Sequence, residues 1–154
     1  MGRLRKEIKQ TKPFGSLEEE AFLDLQRTAD ALERAFASVL KPSGLSPTQY
    51  NVLRILRGAG ESGLTCREIG ERMIHRDPDI TRLLDRLEVR GLVARERSRR
   101  DRRVIVTRIA AEGLQVLKRL DAAVLDFPRR RLGHVSAERL KALVRVLDQL
   151  REPE

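Results

Sequence analysis

The sequence predicts a mainly α chain carrying one small β-hairpin, an α+β class, and three observations carry that expectation. Between Leu64 and Arg90 two short helix signals follow one another closely. Directly after them the apolar runs Leu92-Val93-Ala94 and Val104-Ile105-Val106 flank an arginine-rich segment. On both sides of this block stand longer stretches with apolar residues at helical spacing. The simplest arrangement that satisfies all three is a winged helix-turn-helix at 45–109, with helices at 16–40 and 110–151 flanking it in one domain spanning 1–154.

Composition bounds the function. A chain of 154 residues is long enough for a hydrophobic core. Its formal net charge of +9 favours a polyanionic partner, either nucleic acid or an anionic membrane. No apolar run approaches the length of a membrane span, and Met1 to Pro13 lacks the apolar core of a signal peptide. A soluble, cytoplasmic protein with no membrane partner is therefore expected. One cysteine permits no intrachain disulfide. His75 and His134 stand apart, so no metal site and no other cofactor is expected. Without a phosphate-cradling glycine loop or a nucleophile–base constellation, an enzyme is not expected either.

In chain order, residues 1–15 form a basic arm, open to two readings: a disordered tail, or an extra contact with a nucleic-acid backbone. Ser16 and Glu19 form a capping box for a long helix marked by Leu17, Ala21, Leu25, Leu32, Ala35 and Val39, with Phe22 and Phe36 widening its apolar face. Lys41-Pro42-Ser43-Gly44 ends it. Ser46, Pro47 and Gln49 announce the next helix, with Leu45 placed to staple to Tyr50, and Val52, Leu53, Ile55 and Leu56 supply its core side.

Thr65 and Glu68 then make a third capping box, with Leu64 and Ile69 at the staple positions. The following helix is expected to open at Asp77-Pro78, with Asp77 as cap and proline at the first helical position. Ile80, Leu83, Leu84 and Leu87 share one apolar face, and Gly91 suits the left-handed position that ends a helix, with Leu92 reaching back to Leu87. The outer face carries Pro78, Arg82, Asp85 and Val89, flanked by Asp79, Thr81 and Arg86. Such a face fits a major groove, where arginine can pair with both acceptors of guanine. It also fits an ordinary solvated helix.

The hairpin shifts that balance. Arg95 to Arg103 crowds like charges at a loop tip, an arrangement that costs folding energy but can neutralise phosphates. After it, Ala111 to about Arg131 reads as a long helix containing Pro128, and Arg129-Arg130-Arg131 is either a cationic C-terminal turn or a backbone contact. Ser136 caps a last helix with a stripe of Leu140, Leu143, Val144, Leu147 and Leu150.

LTCREIGERM, DITRLLDRLEVRGLV, Asp101-Arg102-Arg103 and VIVTRI, in this order, resemble the MarR family of winged-helix transcriptional regulators. The resemblance is close over the winged helix and looser over the flanking helices. It implies double-stranded DNA as partner, a homodimer built by the terminal helices at 16–40 and 110–151, and a pseudo-palindromic operator, with repression the commoner mode. It places Thr81 and Arg82, with Asp79 and Arg86 beside them, among base-contacting positions. It places Arg97, Arg99, Arg100, Arg102 and Arg103 in the wing, where Asp101 and Arg103 would brace the hairpin. Which arginine enters the minor groove is left open. Two departures stand out: Asp77, Pro78 and Asp79 replace small hydroxyl residues, and Ala110 replaces a capping threonine. Asp79 would either accept from a cytosine amino group or repel phosphates.

The resemblance also implies a small-molecule effector held between the flanking helices and the winged helix, for which Phe22 and Tyr50 are the candidate aromatic residues. Cys66, at the first position of a helix beside Arg67, is a candidate redox switch, against the expectation of a small, buried or half-buried side chain. The competing function is a winged helix that binds an acidic protein partner through its hairpin and reads no DNA sequence.

Overall fold

The structure, a computed structural model, describes residues 3–152; Met1 and Gly2 of the basic arm, and Pro153 and Glu154, lie outside the described residues. The chain runs α1 (Leu4–Glu7), α2 (Leu17–Leu40), α3 (Pro47–Ala59), α4 (Cys66–Arg72), α5 (Ile80–Val89), β1 (Val93–Arg97), β2 (Ile105–Ile109), α6 (Ala111–Leu132) and α7 (Ala137–Gln149). Short 3-10 turns at Lys41–Ser43 and Gly60–Ser62 follow α2 and α3. This is the mainly helical chain with one antiparallel hairpin that the sequence predicts.

Helix starts follow the capping chemistry. Ser46 and Gln49 exchange both bonds of a capping box, and so do Thr65 and Glu68. Ser16 accepts the Glu19 N–H at 3.1 Å, but the Glu19 carboxylate reaches past Ser16 and takes the Gly15 N–H at 2.6 Å, so that box is one-sided. The arm is folded where it is described. Leu4 is buried, α1 packs against α2, and Arg5 donates to the carbonyls of Gln10 and Thr11.

The core sits under the winged helix. Leu40 of α2, Val52, Leu53 and Leu56 of α3, Ile69 of α4, Leu84 and Leu87 of α5, Leu92, and Leu117 of α6 are its most buried members. Gly91, with φ +69°, ends α5 in a Schellman motif: its N–H reaches Glu88 O at 2.8 Å, and the Leu92 N–H reaches Leu87 O at 3.0 Å. Asn51, buried on α3, accepts the Ile74 N–H at 2.9 Å and ties the α4–α5 connection to the scaffold.

The hairpin is longer than its apolar runs. Val93 pairs with Ile109 and Arg97 with Ile105, so β1 runs into the arginine cluster and β2 continues through Thr107-Arg108-Ile109. Leu64 extends the sheet by one rung, exchanging both backbone bonds with Thr107 at 2.9 and 2.7 Å. Leu64 and Ile69 also share the core, as their staple positions suggest. Although Ala110 offers no side-chain cap, α6 begins where expected, with the Ala110 N–H donating to Leu92 O at 2.9 Å. Helix α6 runs through Pro128, and Arg57 of α3 clamps it through a two-oxygen ion pair with Asp121 at 2.9 and 3.1 Å.

The terminal helices are different. No residue of α7 is buried, and Leu143, Val144, Val146 and Leu150 are exposed, as are Leu17, Phe22 and Leu25 on α2 and Leu125 on α6. Their apolar stripes therefore stay largely uncovered within one chain. Among the described residues no helix is long and apolar enough to cross a membrane.

Candidate nucleic-acid interface

Helix α5 presents the outer face that its sequence describes. Leu83, Leu84 and Leu87 are buried, while Thr81, Arg82, Asp85, Arg86 and Val89 are exposed. Its start corrects the expected one. The helix begins at Ile80, and Asp79 rather than Asp77 is the cap, accepting the Arg82 N–H at 3.2 Å. The Asp77 carboxylate instead accepts the Asp79 N–H at 2.8 Å, an Asx turn across Pro78. A side chain bonding two residues ahead competes with helix formation, so the chain enters α5 two residues late. Asp79 also pairs with Arg82, Nε to Oδ2 at 3.1 Å.

The wing is joined to α5 by Arg95. Its Nη2 reaches Asp85 at 2.5 Å, and Nε and Nη2 reach Glu88 at 3.0 and 2.5 Å. These hydrogen bonds, ahead of Coulomb attraction, hold the Glu88 carboxyl below its usual range and push the Arg95 guanidinium up. Arg95 departs from the expectation that the crowded charges cost folding energy: it is a structural brace with a side chain only 24% exposed. Asp85 and Glu88, about one helical turn apart, followed by an arginine on the strand after the helix, were the available signal. Glu96 and Arg108 add an ion pair across the hairpin.

Beyond the brace the tip is knit by backbone bonds. Arg97 Nη1 donates to Arg102 O at 2.7 Å, Ser98 accepts the Arg100 N–H at 3.2 Å, and Asp101 accepts the Arg103 N–H at 2.9 Å. Asp101 thus braces the turn through the Arg103 backbone; the two side chains form no ion pair among the described residues. Arg97, Arg99, Arg100, Arg102 and Arg103 are all exposed, and none has a carboxylate partner among the described residues. Arg86 on α5 is exposed and unpaired in the same sense. The wing tip and the outer face of α5 thus carry six arginines without a carboxylate partner among the described residues.

A separate cleft of about 490 Å³ opens between α2, α3, the α4–α5 connection and α6. Leu32, Phe36, Tyr50, Met73, Val124 and Phe127 line it, with Arg54 and His75 among its polar groups. Phe36 meets Tyr50 edge-on at 5.6 Å and Phe127 at 5.3 Å between ring centroids. Burial pushes the Tyr50 hydroxyl up, against the pull of Arg57 and Arg54. Of the two aromatic residues expected here, Tyr50 is present and Phe22 is not, since Phe22 lies exposed elsewhere on α2. Phe36 and Phe127 were missed because only the fold brings them to Tyr50. Cys66 is exposed at the first position of α4, which corrects the expectation of a buried or half-buried side chain. Among the described residues no group of three His, Cys, Asp or Glu could hold a metal.

Comparison with known proteins adds independent findings. The family described as "MarR family" matches residues 43–104. The crystal structure of a MarR transcription factor from Planctomyces limnophilus is 39% identical, covers 89% of this chain and 99% of its own, and superposes with a TM-score of 0.66. That of CouR from Rhodococcus jostii RHA1, bound to p-coumaroyl-CoA, is 25% identical over 92% of this chain and 98% of its own, with a TM-score of 0.75. The HTH-type transcriptional regulator MhqR of Bacillus subtilis (strain 168) is 32% identical over 93 residues, 56% of this chain and 63% of the relative. The chain thus spans less than two thirds of that relative, and 53% and 57% of two further curated regulators.

Proposed function

The chain belongs to the MarR family, and from that premise we propose that it is a homodimeric, sequence-specific DNA-binding transcriptional regulator. The observation that carries the proposal is the unpaired arginine set, Arg86 on α5 with Arg97, Arg99, Arg100, Arg102 and Arg103 on the wing. Uncompensated guanidinium groups on a braced hairpin suit phosphates, whose counterions they release. The outer face of α5, held beside that hairpin by Arg95, enters the major groove, where Thr81 and Arg82 meet base edges. The wing follows the backbone or enters the adjacent minor groove.

The bare stripes of α2, α6 and α7 support a homodimer, because exposed apolar faces of this extent call for a partner and an identical copy offers a matching one. A two-fold protein suits an inverted repeat, with half-sites about one helical turn apart. Repression is the mode we assign, following the family's commoner habit, and the cytoplasm is the expected compartment. The protein works by binding rather than catalysis.

The cleft lined by Phe36, Tyr50 and Phe127 is the proposed effector site, a reading supported by the p-coumaroyl-CoA to which the similar CouR is bound. A ligand there changes DNA binding only through different affinities for DNA-competent and DNA-incompetent forms of the dimer.

The test is selection of duplexes from a random library by the purified chain, followed by anisotropy titrations of the selected and scrambled sequences over a salt series. Recovery of an inverted repeat is the expected result. Weak, salt-sensitive binding without enrichment would replace this reading with a hairpin that binds an acidic protein.

A further inference from the structure

We infer that Asp79 is a positioning residue that sets the base specificity of Arg82, an inference that rests on the DNA reading proposed above. One carboxylate holds two parts of the same arginine: Oδ1 accepts the Arg82 backbone N–H at 3.2 Å, and Oδ2 meets Arg82 Nε at 3.1 Å. Capping the helix requires only the first oxygen. The second does little for stability, since the Arg82 side chain is 77% exposed and such pairs are weak.

Its effect is on geometry. With Nε engaged, Nη1 and Nη2 remain for a bidentate contact, and a guanidinium already restrained loses less freedom when it meets guanine O6 and N7. Asp79 is held in turn, because Asp77 accepts its N–H at 2.8 Å across Pro78. The Asp-Pro-Asp segment is thus a stand for Arg82. Asp79 neither reads cytosine nor merely repels phosphate.

The experiment measures Kd for four duplexes that differ at the base pair read by Arg82 within the selected operator. It compares the full-length wild type with Arg82→Ala, Asp79→Ser and the double variant. Serine still caps α5 but cannot hold the guanidinium. Asp79→Ser is expected to keep the wild-type circular dichroism, to bind scrambled DNA as well as or better than wild type, and to lose roughly two- to fivefold in guanine preference. Arg82→Ala loses the same preference, and the double variant loses no more than Arg82→Ala.

Retention of the preference by Asp79→Ser, or additive losses in the double variant, would overturn the inference while leaving Arg82 as a base reader. If Arg82→Ala relaxes no base pair, base reading by Arg82 falls first and the role of Asp79 falls with it. Should the serine variant not fold, Asp79→Asn, another good cap, is read by the same criteria.

Discussion

Arg95 on β1 closes on Glu88 of α5 with two donors, Nε and Nη2, on a single carboxylate oxygen at 3.0 and 2.5 Å. The hairpin and the helix proposed to read DNA are therefore fastened side by side, with Asp85 as a second point of attachment. Arg95→Ala is expected to weaken binding to every duplex by misplacing the wing, and to lower the slope of log K against log salt by more than about one, because several tip contacts are lost together. A fall of only about one would make Arg95 a single phosphate contact instead.

The same pair responds to acid in a defined direction. Arg95 depresses the folded-state pKa of Glu88, so the hook is complete above the ordinary carboxylate pKa of about 4.3 and is lost as pH falls through the lower folded value. A carboxyl-carbon NMR titration should find Glu88 titrating below a free glutamate, and Arg95→Ala should return it to the ordinary range. An unshifted Glu88 in the wild type would contradict the brace.

The tip arginines should behave differently from Arg95. Alanine at whichever of Arg99, Arg100, Arg102 and Arg103 meets a phosphate lowers the salt slope by about one and weakens all sequences alike. Anisotropy titrations of the four single variants over a salt series identify them. Four unchanged slopes would remove the tip from the interface.

Gly113 tests the seam between the winged helix and α6. A Cβ there would collide with Leu92 O and approach Ile109 Cγ1 to 2.8 Å. Gly113→Ala is expected to destabilise the fold by about 1–3 kcal/mol, the usual cost of forcing atoms into a packed site. Urea denaturation measures it, and a loss below a few tenths of that figure would show that α6 can shift away.

The proposed dimer rests on helices that bury little within one chain. Val144→Glu or Leu143→Glu on α7 is expected to yield monomers by light scattering at concentrations where the wild type is a dimer, with secondary structure retained. Binding to an inverted repeat then falls toward that of a single half-site. A variant that stays dimeric would move the interface elsewhere.

The parts of this chain that could be read from its residues are those governed by neighbours within a turn or two. Ser46 with Gln49, Thr65 with Glu68, Gly91 with Leu92, and the buried face of Leu83, Leu84 and Leu87 all follow from bonds and spacing inside four or five residues. Local reading faltered at Asp77-Pro78-Asp79, where two carboxylates compete for one cap and the Asx turn at Asp77 leaves the helix to Asp79.

The fold class, the basic hairpin and the terminal apolar stripes were thus determined by composition and periodicity, which act along the chain whatever it later packs against. Which charges remain available was not, because pairing is decided between segments: Arg95 is taken up by α5, whereas the tip arginines are left without carboxylates. The same holds for Leu64 against Thr107, Asn51 against the Ile74 backbone, Gly113 under Leu92, and the meeting of Phe36, Tyr50 and Phe127. Each joins residues distant in sequence, whose approach depends on how whole helices and strands settle together to bury a common core.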